Sequence, residues 1–221
     1  MQKAPLPIAG RRIVLCALLS MLLPWAAADD QPVSSDVTRL ENYLSELQSL
    51  RADFTQQVFN RDAELVESAS GRLALLKPGR FRWDYLQPFE RVIVADGERV
   101  WLYEADLDQV TVQRLDEGLG ETPAALLSGS VDILQRFDYR GSETREEMTW
   151  LRLGPRGEST DFDEIRLGFS GQQLIQMELA DRLGQTTQVS FSNIDLNPGI
   201  DASVFSFEVP PGADVIGEDE L

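Results

Sequence analysis

The sequence has no histidine, and its single cysteine, Cys16, lies in an apolar N-terminal stretch. Ser-His and Cys-His nucleophile pairs therefore cannot be assembled, and neither can zinc sites built on those ligands. No glycine loop of the phosphate-cradling kind occurs, so nucleotide binding has no motif to rest on. Basic residues are few, 20 Lys and Arg against 37 Asp and Glu. Such a surface repels nucleic-acid phosphates and anionic lipid headgroups, which excludes nucleic-acid partners and stable membrane insertion. Carboxylate pairs alone can serve a glycosidase. Asp106 with Asp108 and Asp161 with Asp163 are the nearest candidates, but close pairs arise by chance among so many acidic residues and read as solvated turns. No catalytic residue, metal ligand or cofactor is assigned, and the chain does not read as an enzyme.

The apolar run from Ile13 to Leu23, followed by Pro24, is shorter than the roughly 20 residues of a permanent helical span. Lys3, Arg11 and Arg12 precede it and Ala26-Ala27-Ala28 follows, the three parts of a cleavable export signal. Residues 1–28 are thus expected to be removed, leaving 29–221 as one domain exported to the bacterial periplasm. Cys16 follows Leu15 inside the apolar run, the wrong setting for lipid modification. The leader takes three basic residues and no acidic one, so the remainder carries 17 basic against 37 acidic residues, a net charge of −20. It also has no cysteine, so burial of apolar surface must hold the fold together, which a chain of this size can do.

What is present is mostly strand. Phe81, Trp83 and Tyr85 alternate with Arg80, Arg82 and Asp84, a period of two. Ile165, Leu167 and Phe169 share a face, as do Ile175, Met177 and Leu179, Val189 and Phe191, and Phe205, Phe207 and Val209. Turn residues separate these runs at Pro78-Gly79, Asp96-Gly97, Ser170-Gly171, Leu183-Gly184 and Pro198-Gly199. The spacing predicts ten or eleven strands in one antiparallel sheet. Helical spacing occurs in two places. Val37, Leu40, Leu44, Leu47 and Leu50 form a stripe behind a cap at Ser35 or Asp36, with extended chain after Arg51. Thr122-Pro123 opens a second, short helix through Leu127, which Val131 to Phe137 would continue.

The aromatic strands admit two readings. A closed sheet fills its own interior, and aromatics do so efficiently. Here, however, the interior candidates are uniformly large, and two amphipathic helices are available to cover an open side. That combination favours an apolar cavity under a helical lid, with an acyl chain as its guest. Lys77, Arg80 and Arg82 likewise read either as sheet-surface pairing with carboxylates or as a group reaching a lid carbonyl.

The order KPGRFRWDYLQPFERVIVADGERVWLYEADLDQV from Lys77 to Val110, with TPAALL at Thr122 to Leu127, resembles the LolA family of outer-membrane lipoprotein carriers. The resemblance runs from Ala52-Asp53-Phe54-Thr55-Gln56 to Phe205-Ser206-Phe207. It implies a mainly β fold, an incomplete, half-open antiparallel β-barrel of about 11 strands with a lid of short α-helices. It implies a monomeric periplasmic chaperone that accepts triacylated lipoproteins from an inner-membrane ABC transporter complex and delivers them to the outer-membrane receptor LolB. The implied acyl-chain cavity comprises Leu73, Leu75, Phe81, Trp83, Val92, Val94 and Trp101, with Phe81 at its mouth. The lid comprises Leu40, Leu44 and Leu47, then Pro123, Leu126 and Leu127. Lys77 stands where the family has a lid-closing arginine, and an ammonium lacks the planar fork of donors. It remains able to reach one or two carbonyls near Leu44, Leu127 or Ser128. Longer family members carry a C-terminal extension, whereas this chain ends shortly after Phe207 with Glu218-Asp219-Glu220. The alternative is a lipid- or lipoprotein-sensing module of the same barrel fold, for which the chain leaves little room for a partner-binding domain.

Overall fold

The computed structural model describes residues 35–115, 126–128, 135, 137–156 and 162–217. The chain divides into two units, Met1–Pro32 and Val33–Leu221, and every described residue belongs to the second. Helix α1 spans Ser35–Glu46. Twelve strands follow: β1 Ser49–Phe59, β2 Leu65–Leu76, β3 Arg80–Gln87, β4 Arg91–Asp96, β5 Arg99–Glu104 and β6 Gln109–Arg114, then β7 Phe137–Arg145, β8 Met148–Pro155, β9 Phe162–Ser170, β10 Gln173–Asp181, β11 Thr186–Leu196 and β12 Asp214–Gly217. A 3-10 turn, Ala202–Phe205, precedes the last strand.

All twelve strands join one sheet in the order β12-β6-β5-β4-β3-β2-β1-β11-β10-β9-β8-β7, with no pairing between its two ends. The fold is an incomplete barrel, as the sequence implies, with one departure. Eleven strands pair antiparallel, but β12 runs parallel to β6, with Val215 opposite Val110. The chain beyond Phe207 thus continues into the sheet, and residues 218–221 lie outside the described residues.

Helix α1 is also shorter than its stripe suggests. Leu50 belongs to β1, where it alternates with Ala52 and Phe54 on the buried face. Of the second predicted helix and its continuation, Leu126, Leu127 and Gln135 are described and helical, while residues 122–125, 131–134 and 136 lie outside the described residues. Pro123 lies outside the described residues, and Phe137 opens β7 rather than ending a helix.

One turn and one bulge show how the register is set. In the β4–β5 hairpin, Asp96 Oδ1 accepts from the amides of Glu98 and Arg99, each at 2.8 Å, while Gly97 adopts φ +106°. That positive φ is the one glycine adopts without steric penalty. At the Ser70/Gly71 bulge between β2 and β3, a Cβ on Gly71 would overlap the Asp84 carbonyl oxygen and press on the Phe54 ring. Glycine is required there by close approach, not by torsion.

Because side chains alternate along a strand, each strand serves two faces. Phe81 and Trp83 of β3 sit opposite Leu75 and Leu73 of β2 and opposite Ala95 and Ile93 of β4. These join Phe54, Leu153, Ile165, Leu167, Met177 and Phe191 in one large apolar cluster on the concave face, which Leu40 of α1 and Leu47 just beyond its end cover. On the outer face of β7–β10, Arg152, Arg166 and Arg145 pair with Glu164 and Glu178. Arg145 lies 4.5 Å over the Trp150 ring, which packs on Gly168.

Candidate functional site

The concave cluster collects the apolar residues of the β2–β3 hairpin under two helical pieces. Leu75 and Phe81 are wholly buried, and Leu73 and Trp83 nearly so. Phe54 lies 4.7 Å from Trp83 between ring centroids, and Phe191 lies 6.5 Å from it. From above, Leu40, Leu47, Leu126 and Leu127 enter the same cluster, with Tyr43 and Leu44 partly buried against it. Tyr43 meets Phe169 edge-on at 5.4 Å, and burial pushes its hydroxyl pKa up to about 12.

Among the described residues, these lid side chains pack directly into the concave cluster. Between α1 and the sheet, the gaps bordered by Tyr43, Leu50, Ala52, Leu127, Leu174, Phe191 and Ile194 total about 190 Å³, and none admits a water molecule. A larger, solvent-open cleft of about 750 Å³ runs along α1, where polar residues such as Thr38, Asn42, Gln173 and Asn197 alternate with Tyr43, Leu47 and Leu196. Tyr43 borders both spaces and forms the wall between them.

Val92, Val94 and Trp101 are not in this interior. In the β3–β4 register Val94 and Val92 lie one residue out of phase with Ala95 and Ile93, so they point to the opposite face. Trp101 and Tyr103 pair with them across β5. With Val110 and Val112 they form a second cluster, sealed by Phe207, Val209, Ala213 and Val215 from the C-terminal segment. Trp101 stacks on Phe207 at 5.6 Å, and its Nε1 donates to Asp96 Oδ2 at 3.0 Å. Burial tends to raise the Asp96 carboxyl pKa, but this bond and the amides of Arg99 and Glu98 hold it below the usual 3.8.

A clasp closes the interior at the β2–β3 turn. Lys77 Nζ donates to the Leu44 carbonyl at 2.6 Å, and the Lys77 amide donates to the Gln48 carbonyl at 2.8 Å. The Gly79 amide takes the Ser128 carbonyl at 3.1 Å, so backbone supplies the second lid contact that a lone ammonium does not reach. Lys77 is the one lysine after Lys3, in a chain that otherwise uses arginine. Half-burial lowers its pKa from the usual 10.5 by desolvation. Arg80 and Arg82 behave as surface groups: Arg80 donates to the Asp96 carbonyl at 3.1 Å and Arg82 pairs with Asp84 at 2.9 Å.

Sequence reasoning missed a second clasp. Asn197 Oδ1 accepts from the amides of Gln48 (2.7 Å) and Ser49 (3.1 Å), while its Nδ2 donates to the Glu46 carbonyl at 3.0 Å. Its backbone φ is +57°, a region that asparagine tolerates better than most residues. At the other end of α1, Ser142 Oγ donates to Asp36 at 2.5 Å and Tyr139 Oη donates to it at 3.3 Å. The signal available for Asn197 was its place before Pro198-Gly199, which marks a turn and says nothing of what the side chain holds.

The family profile described as outer membrane lipoprotein carrier protein LolA matches residues 45–208, well over half of the sequence. The chain belongs to the LolA family. The outer-membrane lipoprotein carrier protein of Dechloromonas aromatica is 40% identical over 92% of this chain and 94% of the relative. That of Methylobacillus flagellatus is 37% identical, with coverage of 93% and 98%. These names are those of carriers rather than catalysts, and family membership makes this chain a lipoprotein carrier chaperone in outline. An uncharacterized conserved protein from Thermus thermophilus superposes with a TM-score of 0.52 over 83% of this chain and 99% of its own, at 16% identity, which bears on the fold alone.

Proposed function

We propose that this LolA-family protein works in the periplasm, after removal of residues 1–28, as the single carrier domain 29–221. It accepts triacylated lipoproteins from an inner-membrane ABC transporter complex and hands them to an outer-membrane receptor of the LolB kind. The observation that carries the reading is the filled apolar interior beneath two clasped helical pieces. Cargo acyl chains take the space that Leu126, Leu127 and Leu44 occupy in the closed form, with Leu73, Leu75, Phe81 and Trp83 as the wall they meet. Burial of one methylene is worth about 0.8 kcal/mol, so a permanently open cavity holding several long chains would not release them. Displacing the lid side chains opposes loading and keeps the affinity intermediate. The transporter spends the ATP, and the carrier contributes binding alone.

The test is calorimetric titration of residues 29–221 with a triacylated lipopeptide and with its unacylated twin, below the critical micelle concentration of a mild detergent. Saturable binding of the acylated form alone is expected. Equal binding of both, or binding of neither, would leave the concave cluster as ordinary core.

A further inference from the structure

Among the described residues, the interior contains one side-chain polar atom with nothing to bond. Trp83 is 2% exposed, and its indole Nε1 has no hydrogen-bond partner. Three other side-chain nitrogens among the described residues share that state: Arg39 Nη1, Arg91 Nε and Trp150 Nε1. The two arginines are only partly buried, and Trp150 lies on the outer face beneath Arg145. Trp83 alone belongs to the concave cluster.

Its neighbours show that the gap is local. One pleat along the same face, the buried Tyr85 hydroxyl donates to Gln56 Oε1 at 3.0 Å. The aromatic rings packed about Trp83 are instead those of Phe54, Tyr85 and Phe191, and none of them supplies an acceptor to the indole N–H. Phe191 and Ala52, the residue across from Leu73 on β1, also border the small gaps under α1, so room opens next to the indole when the lid side chains leave. A buried donor without an acceptor raises the free energy of the closed form and is relieved by any ligand that brings an acceptor.

We propose that the Trp83 indole N–H is a binding site for a carbonyl oxygen of the cargo's acyl linkages, an ester in the first instance. The inference rests on the carrier reading above and adds the atom that recognises the linkage. The depth is suitable. Trp83 is three residues in from Arg80 at the clasped rim, about 10 Å at 3.3 Å per residue. That separation lets the modified cysteine's backbone remain at the rim while its thioether and glyceryl carbons extend inward and bring the first ester carbonyl to the indole. The chemistry is selective for acyl over alkyl chains, because an ether oxygen accepts more weakly than a carbonyl.

Two lipopeptides with the same peptide, the same N-acyl group and equal chain lengths test the proposal, one ester-linked and the other its dialkyl-ether counterpart. The intact carrier is expected to prefer the ester by roughly two- to twelvefold, the range of one net hydrogen bond. Trp83→Phe, which keeps an aromatic ring and loses the donor, should bind both equally. In the unmutated protein, the Trp83 indole proton resonance should move downfield with the ester and not with the ether, a readout independent of whether the variant folds. An equal ester preference in both proteins, no preference in the unmutated one, or an unmoved indole resonance would each overturn the assignment. Binding of neither lipopeptide would overturn the carrier reading itself, and this inference with it.

Discussion

Replacing Lys77 by methionine isolates the clasp from the fold. Methionine keeps most of the stem that packs beside the lid and removes the ammonium that donates to the Leu44 carbonyl at 2.6 Å. A hydrogen bond from a charged donor is worth about 1.5–3 kcal/mol. Part of that is returned, because the half-buried ammonium no longer bears the desolvation that lowers its pKa. A net loss of about 1–2 kcal/mol from the closed form is expected, a factor of about 5–30 in the open-to-closed ratio. If only the open form takes cargo, apparent affinity scales with its population. Lipopeptide affinity measured by calorimetry should then rise about 5–30-fold, and transfer to receptor-bearing vesicles should slow in proportion. The Gly79–Ser128 bond and the Asn197 contacts remain, so global unfolding by urea should shift by no more than about 2 kcal/mol. Unchanged or weaker lipopeptide binding, with the fold intact, would refute the argument that Lys77 opposes loading.

Asn197→Gly keeps the left-handed backbone and removes the second clasp; hydrogen exchange at the Gln48 and Ser49 amides should quicken about fivefold, with a loss of about 1 kcal/mol in stability. Trp101→Ala should cost about 3–5 kcal/mol in denaturant unfolding yet leave lipopeptide affinity within about twofold, since Trp101 packs on Phe207 outside the interior; a large change in affinity would place it back among the cargo contacts. Gly71→Ala should destabilise by about 1–3 kcal/mol or more, because its methyl group meets the Asp84 backbone rather than a yielding side chain. The Asp96 carboxyl has a folded-state pKa below 3.8, so its stabilisation is present above that value and is lost as pH falls through the folded one. The stability gap between the unmutated protein and Asp96→Asn should therefore narrow from about pH 5 to about pH 2; a gap that widens in acid would reverse the assignment.

Much of this fold can be read from side-chain period. The alternation through Phe81, Trp83 and Tyr85 defines a strand and a face, and Asp96-Gly97 defines a hairpin, since both signals are local. What period cannot supply is the phase between neighbouring strands. Val94 and Ala95 are both apolar, so β4 offers no polar face to show which side is buried in the interior. Only the Phe81–Ala95 register assigns Val94 and Trp101 to the outer cluster. Leu50 extended the helical stripe by coincidence of spacing, although it also begins the β1 alternation. Lys77 was singled out only by the family resemblance, since Lys77, Arg80 and Arg82 taken alone read equally as surface pairing with carboxylates. Asn197 was not, because its partners Glu46, Gln48 and Ser49 lie about 150 positions earlier, and no local pattern joins them.

The sheet that ends at β12 on one side and β7 on the other is a split hoop. In a closed barrel, strand number and stagger fix the girth, and a wider lumen requires a ladder to break. Here no ladder bridges the split. The wall can splay or tighten by small changes in twist spread over eleven interstrand seams, each keeping its bonds. The capacity of the lumen is therefore set by how far the free rims stand apart rather than by a fixed volume. A carrier built this way suits passengers with differing tails by adjusting its curvature, and spin labels on β7 and β12 would record the stretch as a change in one distance.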